Sequence, residues 1–168
     1  PSLQFLRRYK YVLLSGGLLL TALTLLFGTN PGGFGPRLWL GCCGVYFQPS
    51  EPLKLLLVIY LSAYLADQLP VRLRAFPLLL PTLLVTGIAL LLLIVQRDLG
   101  TASIFILIFT VILFLATDHR RVLIVTFIGL ALSGLVGYFF ISVIRIRVDA
   151  WLDPWADPSG RSYQIIQS

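Results

Sequence analysis

"LLLPTLLVTGIALLLLIVQRDLGTASIFILIFTVILFLATDHRR" runs from Leu78 to Arg121 and decides the fold. Two long apolar runs, Phe76–Gln96 and Leu99–Thr117, are parted by the short charged turn "QRDLG", and the second ends at "DHRR". A helix needs about 20 predominantly apolar residues to cross a bilayer. Each run meets that length, and the turns fall where polar backbone must meet water. Two consecutive crossings joined by a tight turn are therefore expected here.

The pattern extends outward. Tyr11–Phe27 and Val122–Ile144 are further crossings, and Pro52–Ala66 is a shorter one that carries Lys54, placed to snorkel from near a helix end. Leu38–Phe47 is apolar but too short to cross. With Trp39 and Tyr46 it suits the membrane interface. Of 168 residues, 58% are hydrophobic and 12% charged, far too little charge for a soluble domain of this size. The fold class expected is all-α: a polytopic transmembrane helix bundle with about five crossings. There is no internal repeat and no recognisable signal peptide. The chain opens on Pro1 and contains no Met, so it reads as a piece of a longer protein. The adjacent Cys42 and Cys43 read as small packing residues, and His119 as part of a charged turn.

Five crossings put "QPSE", "QRDLG" and the tail after the fifth run on one face. The opposite face carries its cations, Arg7, Arg8, Lys10, Arg72, Arg74, Arg120 and Arg121, in compact loops with only Asp67 and Asp118 against them. Compact basic loops favour the cytoplasm, which makes the polar-rich face extracytoplasmic. Basic residues punctuating apolar runs, within a net charge of +6, point to anionic membrane lipid rather than nucleic acid as partner.

Three polar clusters lie on that face. In "FQPSEPLKL", Phe47–Leu55, Ser50 suits an N-cap, Pro52 a first helical turn, and Glu51 and Lys54 share a helix face at i, i+3. In "QRDLGTA", Gln96–Ala102, Asp98 suits the cap of the next helix, accepting from Gly100 or Thr101. Arg97 reads as a surface anchor. The tail "RIRVDAWLDPWADPSGRSYQ" sets Arg145 and Arg147 beside Asp149, Asp153 and Asp157. Carboxylates beside guanidinium groups suit a phosphate-bearing lipid and a proton taken from its sugar. A structured interfacial loop would look the same by composition.

Together, "FQPSEPLKL", "QRDLGTA" and "RIRVDAWLDPWADPSGRSYQIIQS", in that order, resemble the SEDS family (shape, elongation, division and sporulation), the RodA- and FtsW-like peptidoglycan glycosyltransferases. "NPGGFGPRLWL" is similar to the family's approach to "QPSE". The resemblance implies a ten-helix membrane enzyme. Residues 1–144 would be its third to seventh helices, and residues 145–168 the start of a large extracytoplasmic catalytic loop. It implies lipid II as substrate, a class B penicillin-binding protein as partner, and the bacterial inner membrane as location.

The residue carry-over gives Asp157, in "PWADP", as general base or acceptor-orienting group. It gives Glu51, Lys54, Asp98, Arg147, Gln48 and Ser50 as substrate-binding, with Lys54 and Arg147 toward the pyrophosphate or the cavity lining. No metal-ligand cluster is visible and no cofactor is certain. A divalent cation such as Mg²⁺ would arrive with the pyrophosphate. "GRSYQ" and Arg97 depart from the family's commoner Gly-Ser-Gly-Tyr-like run and proline. Two other readings stand beside the polymerase: a lipid II transporter, since intramembrane charges suit a lipid path, and a non-catalytic membrane subunit.

Overall fold

The computed structural model describes residues 3–30, 36–42, 44–68, 75–153 and 155. Its elements, in order, are α1 (Leu3–Arg8), α2 (Lys10–Phe27), β1 (Leu40–Cys42), β2 (Val45–Phe47), α3 (Ser50–Gln68), α4 (Ala75–Val95), α5 (Leu99–Thr117), α6 (Arg120–Phe140) and α7 (Ser142–Leu152). Two compact units are present, Pro1–Leu123 and Ile124–Ser168.

The helices of the first unit bury stripes at helical spacing, and these stripes are not their most apolar faces. α2 buries Lys10, Leu14, Gly17, Thr21 and Thr24. α4 buries Thr82, Thr86, Ala89 and Leu93. Meanwhile Leu19, Leu26, Phe27, Leu91 and Leu115 are exposed. In water this would be inside out. In a bilayer the lipid-facing side carries the large apolar residues, and small or hydroxylated residues let helices approach. Buried threonines satisfy themselves on their own helix: the Thr21 hydroxyl donates to Gly17 O at 2.9 Å, and that of Thr110 to Ile106 O at 2.8 Å.

α3 is the hub. It packs on α2 and α5 and also meets α1 and α4. Its buried stripe of Ser50, Leu53, Leu57, Tyr60, Leu61, Tyr64 and Leu65 is the most extensive among the described residues. Among the described residues three helices, α2, α5 and α6, are long and apolar enough to cross a membrane, and Leu79–Val95 is a shorter apolar helix. α3, carrying Glu51, Lys54 and Asp67, is not among them. Surrounded by protein, it meets less lipid and needs less apolar surface.

α2 and α3 run antiparallel. Asp67, at the end of α3, takes hydrogen bonds from Arg7 in the last turn of α1 and from Lys10 at the start of α2. Lys10 is only 7% exposed. The two lysine and arginine donors hold the Asp67 carboxyl below its ordinary range, the Lys10 hydrogen bond most of all.

The Leu38–Phe47 stretch, expected to be too short to cross, contains a hairpin, with Leu40 opposite Phe47 and Cys42 opposite Val45. Gly41 takes φ +147°, and a Cβ there would lie 2.1 Å from Val45 O. In the second unit the last crossing stops at Phe140 instead of Ile144. Ile141 is extended, and α7 turns back so closely that a Cβ on Gly137 would lie 2.5 Å from Ile144 Cδ1. The reason is Arg145. Its Nε and Nη2 donate to Tyr138 O and Phe139 O at 3.2 and 2.9 Å, satisfying carbonyls that a terminating helix leaves open. Tyr138 OH donates to Asp149 Oδ1 at 3.0 Å and ties the same corner.

Candidate functional site

Within the first unit the polar clusters gather at one end of the bundle, opposite Asp67. Gln96, which follows α4, reaches the last turns of α2: its Nε2 donates to Thr21 O at 2.7 Å and to Thr24 Oγ1 at 2.9 Å. Since α2 and α4 both end there and α3 and α5 both begin there, "QPSE" and "QRDLG" lie at the same end, as five alternating crossings require.

At the start of α3, Gln48 Nε2 donates to Ser50 Oγ at 3.0 Å. Ser50 is buried and is the first helical residue, one step inside the cap position expected for it. Glu51 and Lys54 pair as their i, i+3 spacing predicts, Nζ to Oε1 at 2.8 Å. The Glu51 side chain is 58% exposed and that of Lys54 21%. The pair is thus half-open to the outside, and the lysine is the more enclosed partner.

Asp98 caps α5. Its Oδ1 accepts from the Thr101 amide at 3.2 Å. Its Oδ2 is buried and, among the described residues, has no hydrogen-bond partner. Half of this carboxylate therefore holds the helix end, and half remains an unspent acceptor. Arg97 beside it adopts φ +60°, a left-handed backbone that non-glycine residues seldom take.

The expected residues are brought together only in part. Gln48 joins Ser50, and Glu51 joins Lys54. Asp98 shares their end of the bundle, and among the described residues it makes no bond to them. Arg147 belongs to the second unit, on α7, exposed and with no carboxylate bound to it among the described residues. Asp157 lies outside the described residues. Arg145 and Asp149 are used in the α6–α7 corner. Among the described residues no group of three His, Cys, Asp or Glu is placed to hold a metal ion.

Gln96 is the residue whose part sequence reasoning missed. It is 8% exposed and joins two helices. The available signal was a polar side chain at the end of an apolar run, with Thr21 and Thr24 a turn apart on another.

These features define a polytopic membrane protein with acid, base and cation side chains gathered at one end of its helices. The chain belongs to the FtsW/RodA/SpoVE family of cell cycle proteins, which it matches over residues 2–168. Peptidoglycan glycosyltransferase RodA of Mycobacterium tuberculosis is 33% identical, over 97% of this chain and 37% of that protein. A probable peptidoglycan glycosyltransferase FtsW of Borreliella burgdorferi is 34% identical, over 99% and 45%. Among solved structures, a chain reported under "Structural coordination of polymerization and crosslinking by a peptidoglycan synthase complex" superposes with a TM-score of 0.71 at 34% identity, covering 98% of this chain and 48% of that one. The rod shape determining protein RodA of Thermus thermophilus superposes at 0.63 with 32% identity, covering 77% and 42%. The chain thus spans less than half the length of these relatives.

Proposed function

We propose that this chain is the central part of a peptidoglycan glycan-strand polymerase of the bacterial inner membrane, with its polar clusters on the extracytoplasmic side. The substrate is lipid II. A sugar hydroxyl of the acceptor attacks the anomeric carbon of the donor. The new glycosidic C–O bond forms as the bond to pyrophosphate breaks, undecaprenyl pyrophosphate leaves, and the hydroxyl proton passes to a base. Such a step needs a positioned base and cations facing the leaving group.

The observation that carries this reading is the half-open Glu51–Lys54 pair and the unspent Asp98 oxygen at one end of a membrane bundle, in a chain whose relatives are named peptidoglycan glycosyltransferases. By the family resemblance, Lys54 and Arg147 are each assigned to the pyrophosphate or the cavity lining. Glu51 orients Lys54. Gln48 and Ser50 shape the entrance to α3. Asp157 is the base or holds the acceptor hydroxyl. A divalent cation such as Mg²⁺ would arrive with the substrate phosphates, which would supply most of its oxygens, since among the described residues no group of three His, Cys, Asp or Glu is placed to hold one. A class B penicillin-binding protein is the partner, in keeping with the synthase complex that one structural relative comes from.

The test is polymerisation of labelled lipid II by the full-length protein, with and without the transpeptidase, comparing wild type with Asp157→Asn. Polymer from the wild type and none from an equally expressed variant is expected. Equal polymer from both would remove Asp157 from the chemistry. Lipid II crossing vesicles with no polymer formed would replace this reading with transport.

A further inference from the structure

Arg37 and Arg97 are separate from the groups used above. They line one pocket of about 260 Å³, with Gln96 and Thr24 forming its polar wall and Leu25 and Val95 its apolar sides. Both arginines are exposed, and among the described residues neither has a carboxylate partner. The nearest acid in sequence, Asp98, spends one oxygen on the cap of α5. Two guanidinium charges therefore stand over one small pocket uncompensated.

The backbone places both of them. Arg37 sits on a strap pinned across the end of α2: the Thr29 amide donates to Trp39 O at 2.7 Å and the Trp39 amide to Thr29 O at 3.2 Å. The strap passes so close that a Cβ on Gly28 would lie 2.5 Å from Arg37 O. Arg97 lines the same pocket from the turn between α4 and α5, in a left-handed conformation at φ +60°. Holding a long residue there costs free energy, and such outliers gather where a ligand is clamped. The pocket is smaller than the roughly 300–1,000 Å³ that drug-sized molecules occupy, and its polar wall is already satisfied, since the Gln96 amide donates to Thr21 and Thr24. What remains unmet is positive charge. Its sides, Leu25 at 45% exposure and Val95 at 58%, continue outward onto the apolar surfaces of α2 and α4.

We propose that Arg37 and Arg97 cradle the phosphate of an anionic phospholipid at the membrane interface, with its acyl chain against Leu25 and Val95. Guanidinium groups take phosphate oxygens in paired hydrogen bonds, and lipid phosphates lie at the depth where helix ends emerge. A soluble phosphate would satisfy the arginines but would leave the apolar sides unused. This site does not depend on the proposed polymerase activity.

The test is native mass spectrometry of the full-length protein in detergent, titrated with phosphatidylglycerol, with phosphatidylcholine, and with phosphatidylglycerol in the presence of inorganic phosphate. Wild type is expected to retain phosphatidylglycerol over phosphatidylcholine. Arg37→Gln combined with Arg97→Gly is expected to lose retention about tenfold, the loss of strong charge-assisted bonds. Arg97→Gly alone carries a second readout. Glycine accepts φ +60° freely, so its thermal midpoint is expected at or above that of wild type while lipid retention falls. Unchanged retention in the double variant would overturn the site. So would a fall in retention matched by a fall in thermal midpoint in both Arg37→Gln and Arg97→Gly, which would make the arginines structural. Displacement of the lipid by inorganic phosphate alone would overturn the lipid assignment.

Discussion

Asp98 does two things at once, and its two oxygens separate them. Oδ1 accepts from the Thr101 amide, and Oδ2 is buried without a partner among the described residues. Asparagine caps helices about as well as aspartate, whereas alanine costs about 1 kcal/mol. Asp98→Asn is therefore expected to unfold with wild type in detergent, and Asp98→Ala about 1 kcal/mol sooner. Polymerisation by the full-length protein should fall in both, because both remove the charge at Oδ2. Activity that tracks stability, lost in the alanine variant and kept in the asparagine one, would confine Asp98 to capping.

At the scale of elements, the α2–α3 contact decides how closely the bundle packs. A Cβ on Gly17 would lie 2.8 Å from Leu56 Cδ1 and 3.0 Å from Leu53 Cδ1. Both neighbours are the tips of flexible side chains, so alanine is accommodated by small rotations. Gly17→Leu cannot be, and overpacking of this kind costs about 1–3 kcal/mol. We expect Gly17→Leu to lower the thermal midpoint while Gly17→Ala leaves it near wild type. A leucine variant as stable as wild type would mean that the helices part without penalty. The α6–α7 corner shows the reverse effect, since Arg145 ends a helix that its own hydropathy would have continued.

Across the first unit, opposite ends of the bundle carry different electrostatics. One end is closed by Asp67 with Lys10 and Arg7. The other holds the half-open Glu51–Lys54 pair, Asp98 and the two arginines over their pocket. Asp67 lies just beyond the Pro52–Ala66 run, and its carboxyl titrates below the ordinary range because the charged form is hydrogen-bonded by Lys10 and Arg7. With the folded value below the unfolded one, the stabilisation is fully present above the ordinary carboxylate range near about 4 and is lost as pH falls through the lowered value. Hydrogen exchange at the start of α2 should therefore stay slow from neutral pH down to about 4 and quicken below it. Asp67→Asn should exchange faster at neutral pH, because the buried Lys10 ammonium loses its counter-charge, and should lose this acid response. A wild-type-like profile in the variant would show that Asp67 does not hold this end.

Much of this molecule is local, and local features are legible in the amino-acid order. The membrane class and the runs that become α2, α4 and α5 follow from a bilayer's demand for about 20 apolar residues. The Asp98 cap and the Glu51–Lys54 pair follow from the geometry of a single helix turn, and the order of "QPSE" and "QRDLG" carries the family resemblance. Tertiary structure decided the rest. Gln96 meets partners 75 and 72 residues away, and Lys10 meets Asp67 across 57. No local period encodes such meetings. That α3 is the protein-facing hub, that α6 stops at Phe140, and that Arg37 and Arg97 share a pocket all depend on which helix faces which. In a bilayer lipid and protein interiors are nearly equally apolar, so hydropathy locates the helices but leaves their neighbours to packing and to a few buried polar bonds.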